Sequence, residues 1–257
     1  MNITSYTREQ ITEGLNRARD ANRGAGSDHI RVLFSPITID DQNFDRACDI
    51  YSRIDPDNYE TVVVVETYGE DLDKRLPMPS NRFFKTPLGQ VKANEFMRDE
   101  FCDEDDDFFI HDEGYSEDMS LFQQLMMLQC TFGDDFSVLS VQVADQGPAI
   151  VKELAWVLEE VLASRRALVV FCCELDNERT EEFEKVRRMI ASNNQSGLLN
   201  YLNSGESHIR GTSSFIAGVL VAHAWKLDIT FLNGEYSNNR GSLVTAYGDR
   251  QNVFIRP

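Results

Sequence analysis

Residues 61–65 read Thr61-Val62-Val63-Val64-Val65, and this run narrows the fold more than any other stretch of the chain. Branched Cβ atoms lose rotamer freedom in a helix and pack well on a pleat. Four of them in a row, without polar alternation, suit a strand covered on both faces, which is the habit of a parallel sheet between helix layers. In an open α/β sheet the backbone just past a strand's carboxyl end lines the ligand crevice. Thr67, Tyr68 and Gly69 are therefore expected at whatever pocket exists.

The rest of the chain supplies helices and further strands around this one. Thr7-Arg8-Glu9-Gln10 is a capping box, with Ile11, Leu15 and Ala18 on one face of the helix it starts. Residues 30–34 form a strand, 35–41 a loop, and Phe44, Ala47, Cys48, Tyr51 and Ile54 repeat at helical spacing, so that the valine strand completes a βαβ unit. Residues 77–87 look irregular, 94–101 a short helix, and 120–128 an apolar, Met-bearing helix. Thereafter strand and helix alternate: a strand at 137–143, a helix at 148–164 with Pro148 in its first turn, and a buried strand at 167–173. A charged amphipathic helix at 177–191 and an apolar helix at 211–225 follow, then closing strands at 229–232, 242–247 and 253–255. No repeat of solenoid period is visible, and no linker is long enough to divide the chain. The expectation is one three-layer α/β domain over residues 1–257, with a mainly parallel central sheet and helices on both faces.

A formal net charge of −18 repels nucleic acid and anionic membrane, and no Lys/Arg cluster offsets it. No stretch reaches the roughly 20 apolar residues of a membrane span, and the N-terminus lacks the pattern of a signal peptide. The five cysteines, Cys48, Cys102, Cys130, Cys172 and Cys173, form no CxxC pair, which argues against a structural zinc site and for reduced thiols in a cytoplasmic protein. Adjacent Cys172 and Cys173 point to opposite faces of their strand. The acidic run at 103–107 lacks the glycine and terminal glutamate of a calcium loop and is expected to be solvated. There is no G-x-G-x-x-G or Walker loop and no G-x-S-x-G elbow. His29, His208 and His223 share no metal-ligand spacing and are read as structural or solvent-facing.

Several segments together resemble the Memo-like family, the "AmmeMemoRadiSam system protein B" group within the class III extradiol dioxygenase-like superfamily. Thr86-Pro87-Leu88-Gly89-Gln90-Val91 is similar to the family's TPLG-E-V run, and residues 111–124 to its H-x-x-E-H-S-L-E-V-Q-L-P-F-L segment. His111, Ser116 and Leu121 match, with Asp118 at the second Glu. The resemblance implies an iron or copper ion held by two His and one Cys. The first His of a P-H-A-G-Y loop falls on Ile37 in Pro36-Ile37-Thr38-Ile39-Asp40, the second, of G-P-N/S-H, on Gly69, and the Cys of G-C-G on Thr212. The acid and His of S-S-D-L-S-H fall on Glu174 and Asn177.

A hydrocarbon, a bare backbone and an alcohol do not replace two imidazoles and a thiolate around such an ion. The expectation is a degenerate member, a pseudoenzyme whose crevice positions Ile37, Asp40, Tyr68, Gly69, Asp176, Asn177, Thr212 and Ser213 bind a small molecule or protein, with no cofactor and no metal. Two alternatives stay open. One is a hydrolase-like or divalent-metal enzyme using Asp118, Glu174 and His111, with Mg²⁺ or Ca²⁺ on the acidic crevice. The other is the iron- or copper-dependent oxidoreductase, extradiol dioxygenase-like, that the resemblance itself implies. Thr212, Ser213 and Ser214 open a helix whose N–H groups suit a small anion, though ordinary N-capping accounts for them equally. The sequence names no partner and leaves a homo-oligomer open.

Overall fold

The computed structural model describes residues 2–22, 30–68, 75–112, 119–144, 147–175, 180–232 and 246–249. Its elements run α1 (Arg8–Ala21), β1 (Val32–Ser35), α2 (Phe44–Ser52), β2 (Thr61–Thr67), β3 (Leu76–Met78), β4 (Phe83–Thr86), β5 (Gly89–Ala93), α3 (Glu95–Glu104) and β6 (Phe108–Ile110). Then come α4 (Ser120–Phe132), β7 (Ser137–Val143), α5 (Pro148–Leu162), β8 (Ala167–Cys172), α6 (Thr180–Ala191), α7 (Gln195–Asn203), α8 (Thr212–Ala224), β9 (Asp228–Phe231) and β10 (Ala246–Asp249).

The valine strand β2 lies near the middle of an eight-stranded sheet ordered β4-β5-β7-β2-β8-β1-β10-β9. The five strands from β5 to β1 are parallel to their neighbours, and β4, β10 and β9 add antiparallel edges. β1 and β2 belong to one parallel sheet as the βαβ expectation requires, but β8 sits between them, so the crossover through α2 skips one strand.

The pleat sends alternate residues to opposite layers. Val62 and Val64, with Leu33, Val138, Leu168 and Val170, pack under α1, α2 and α4, against Ile11, Leu15, Ile50, Tyr51, Leu121 and Leu125. Val63 and Val65, with Phe34, Val141, Val169 and Phe171, pack under α5 and α8, against Leu154, Leu158, Phe215 and Val219. Each of the four valines is fully buried, as a strand covered on both faces demands. α8 is apolar all round because it lies flat on the sheet, and Gly218 makes that approach feasible: a Cβ there would stand 2.5 Å from the Phe34 ring.

Local signals correspond closely to the elements they begin. Thr7 and Gln10 form the reciprocal capping box of α1, and Pro148 occupies the first turn of α5. Residues 77–87 are not irregular. They contain β3, paired in parallel with β6, and β4, which forms a hairpin with β5 through Pro87 and Leu88. The Thr86–Gly89 turn is held from outside the sheet: Thr86 Oγ1 donates to Gln129 Oε1 on α4 (2.5 Å), and Arg8 Nη2 donates to the Leu88 carbonyl (3.0 Å). The acidic run takes up defined structure as well: α3 extends through Glu104, and the Asp107 N–H donates to Asp105 Oδ1 at 2.7 Å. α7 had no counterpart in the sequence reading, and α6 begins at Thr180. Residues 242–245 and the strand expected at 253–255 lie outside the described residues. Among the described residues no helix is long and apolar enough to cross a membrane.

Candidate functional site

At the carboxyl edge of the sheet the apolar rows give way to a polar one. Ser35 pairs in register with Cys172, and Glu66 with Gln142. Val65 pairs with Phe171, so Glu66 and Cys172 also fall at the same level. Ser35, Cys172, Glu66 and Gln142 thus cross four adjacent strands in one row, and the period-2 pleat turns them all toward the α4 layer. All four are buried.

The first turns of α4 close over this row. Ser120 Oγ and the Leu121 N–H donate to one oxygen of Glu66, at 2.5 and 3.3 Å, so the acid from β2 serves as the N-terminal cap that Met119 does not provide. The other Glu66 oxygen, and Oε1 of neighbouring Gln142, have no hydrogen-bond partner among the described residues. Burial pushes the Glu66 carboxyl above the ordinary carboxylate value, and the donors from Ser120, Leu121 and Gln142 pull back less strongly. Burial pushes the Cys172 thiol well up. One turn further along α4, Gln124 Oε1 accepts from Ser35 Oγ (2.6 Å) and Tyr51 OH (2.7 Å), while Gln124 Nε2 donates to the Pro36 carbonyl (2.8 Å). Gln123 Oε1 accepts the Ile39 N–H at 2.6 Å. Two adjacent glutamines therefore fix the loop that carries Ile37.

On the opposite face, α8 points its N-terminus at the same edge. Gly211, the residue before it, has φ +70°, and a Cβ there would stand 2.4 Å from the Cys172 carbonyl. Arg210 and Glu174 exchange backbone hydrogen bonds at 2.9 and 2.8 Å, and their side chains form an ion pair. The Thr38 N–H also donates to Glu174 Oε2, at 3.4 Å. Thr212 Oγ1 donates to the Ile209 carbonyl (2.5 Å) and Ser214 Oγ to the Val65 carbonyl (2.9 Å). Among the described residues no side chain caps α8, and the buried Ser213 hydroxyl has no partner.

The structure brings Glu174, Thr212, Ser213 and the loop holding Ile37 to one edge, joined through Thr38 and Arg210. Tyr68 continues that edge past β2: its N–H donates to the Val143 carbonyl (2.9 Å), and its ring meets His111 edge-on with centroids 6.4 Å apart. His111 also packs on Phe109, and its buried Nε2 has no partner among the described residues. Asp40 is engaged in a local turn, accepting the Gln42 N–H at 2.9 Å and the Phe44 N–H through its carbonyl at 2.8 Å, so it heads α2. Gly69, Asp118, Asp176 and Asn177 lie outside the described residues, as does His29. His208 pairs with Glu182 (3.1 Å), and His223 Nδ1 lies 3.0 Å from Gln195 Nε2. Among the described residues the group with metal-ligand spacing is Asp105, Asp107 and Glu153, none of them an expected site residue; Asp105 beside it pushes Glu153 up to about 7.

Glu66, Gln142, Ser35 and Gln124 were not singled out in the sequence. The available signal was Glu66 itself, an acid one residue before the end of a strand otherwise built to be dry on both faces.

Compared with known proteins, residues 8–227 match the family described as Memo-like protein, from the start of α1 to the residue before β9. The chain belongs to the Memo-like family. Curated relatives named MEMO1 family protein include one from Nitrosopumilus maritimus, 27% identical over 124 residues (48% of this chain, 45% of the relative). Another, from Thermotoga neapolitana, is 29% identical over 125 residues (45% and 42%). The matched stretch thus spans less than half the length of either relative. Among solved structures, an uncharacterized protein, JW3007, from Escherichia coli K12 superposes with a TM-score of 0.55 at 11% identity, covering 86% of this chain and 98% of that one, a likeness of fold alone.

Proposed function

We propose that this Memo-like protein works by binding, without the redox ion that the resemblance implies for its crevice. The state of Glu174 carries this reading. It is the acid expected beside the ion, yet it is bridged to the Arg210 guanidinium and accepts the Thr38 N–H. A guanidinium fixed on that carboxylate adds a positive charge where a cation would sit and uses the acid's lone pairs. The neighbouring chemistry agrees. Ile37 offers an alkyl group, and the Thr212 hydroxyl is directed to the Ile209 carbonyl. At the sequence level, glycine stands at 69 and asparagine at 177. This donor set does not fit iron or copper, which take imidazole and thiolate. The divalent-ion alternative draws no support from Glu174, which is engaged, or from His111, which packs between aromatic rings.

The test is restoration. The triple variant Ile37→His, Gly69→His, Thr212→Cys and the unaltered protein are incubated anaerobically with Fe²⁺, or separately with Cu²⁺, desalted, and analysed for metal. Retention by the variant alone is expected. Retention of about one equivalent by the unaltered protein would overturn the proposal.

A further inference from the structure

We propose that the first turn of α8 holds a small anionic group, a carboxylate or a phosphate, between the Ser213 hydroxyl, the N–H groups of Thr212 and Ser213, and the Thr67 hydroxyl on β2. This rests on the metal-free reading above and names the chemistry of its ligand.

Three observations converge on it. First, α8 is a 13-residue helix with no side-chain cap, and its N-terminus carries about half a positive charge. The three hydroxyls of its first turn do not cap it: Thr212 donates backwards to Ile209, and Ser214 donates to the sheet at Val65. Second, Ser213 is 1% exposed and its Oγ has no partner among the described residues. Side chains lean toward the N-terminus of their helix, so this hydroxyl is carried to the open end of the turn. Third, the Ser214–Val65 bond sets α8 against β2, and Thr67 lies two residues on, on the same face and about 7 Å further along the strand. Its Oγ1 is also buried, with no partner among the described residues. Two buried hydroxyls left without partners beside an uncapped helix N-terminus form a set of donors lacking an acceptor, and buried polar groups are ordinarily satisfied.

The net charge of −18 argues against an anion anywhere on this surface, so the local charges decide. Glu174 is neutralised by Arg210, whose own side chain remains largely exposed at this edge. Glu66 faces the other layer, and burial favours its uncharged form. Among the described residues the helix terminus is therefore the local field that favours an anion.

The experiment titrates the full chain with sodium phosphate and, separately, sodium acetate, at ionic strength held constant with sodium chloride. Melting temperature and calorimetric binding are read for the unaltered protein, Ser213→Ala and Thr67→Val. The expected result is saturable stabilisation by phosphate or by acetate, beyond chloride, with Kd weakened roughly tenfold or more in each variant, as loss of a hydrogen bond to a charged acceptor implies. Without anion, Ser213→Ala should melt no lower than the unaltered protein, because the hydroxyl it removes has no partner. A response to phosphate alone assigns a phosphate, and to acetate alone a carboxylate. No response to either, or an unchanged Kd in Ser213→Ala, overturns the inference. Metal analysis of the same samples separates the two proposals: metal-free protein without an anion response overturns only this one, and an iron- or copper-loaded protein overturns both.

Discussion

Replacing Glu66 by glutamine should make the protein more stable at neutral pH, by an amount that depends on pH. Glu66 is 3% exposed, one carboxyl oxygen accepts from Ser120 and Leu121, and the other has no hydrogen-bond partner among the described residues. An ionised carboxylate so placed would cost several kcal/mol, and holding a proton avoids that cost. The folded-state pKa is raised, so the fold keeps a proton that the unfolded chain releases above its ordinary value of about 4.5. Stability linked to Glu66 is therefore complete at low pH and falls as pH rises from that value toward the folded pKa, by about 1.4 kcal/mol per pH unit. Glu66→Gln keeps the acceptor for Ser120 and Leu121, sets an amide N–H beside the unpartnered Gln142 Oε1, and does not titrate. Its advantage over the unaltered protein should therefore grow as pH rises from 5 to 7. Urea unfolding of both proteins at pH 5, 6 and 7, with equal m-values, measures this directly. A difference that does not change with pH, or a glutamine variant that is the less stable at pH 7, would refute a neutral Glu66.

Other outcomes follow from the same geometry. Gly211→Ala combines positive φ with a Cβ 2.4 Å from the Cys172 carbonyl and should cost more than about 2 kcal/mol in urea unfolding. Gln124→Leu leaves Ser35 Oγ, Tyr51 OH and the Pro36 carbonyl without their partner and should cost about 2–4 kcal/mol, with faster amide exchange in the loop carrying Ile37. Cys48, Cys172 and Cys173 are buried, and burial pushes their thiols up, Cys48 to about 12. Native protein should leave these three unreactive toward a thiol reagent that modifies them on unfolding.

How much of this could be read from residues alone depended on range. The valine run announced a dry parallel strand, because branching and the lack of alternation are local facts, and the Thr7 box and Pro148 marked helix starts for the same reason. Residues 77–87 misled because prolines and polar residues also suit short edge strands: Pro77 sits in the three-residue β3, and Pro87 in a tight hairpin turn. The polar row was out of reach. Ser35, Glu66, Gln142 and Cys172 are spread over more than 130 residues, and only the order β1-β8-β2-β7 and its register put them side by side. The Glu174–Arg210 pair likewise needed the loop after β8 to meet the residue before Gly211, a contact no spacing rule encodes.

The most direct measurement is elemental analysis of the full-length protein, expressed with iron, copper and zinc in the medium and purified without chelators. All three metals at background levels is the expected result. Close to one equivalent of iron or copper, lost on replacing Glu174 by glutamine, would contradict it.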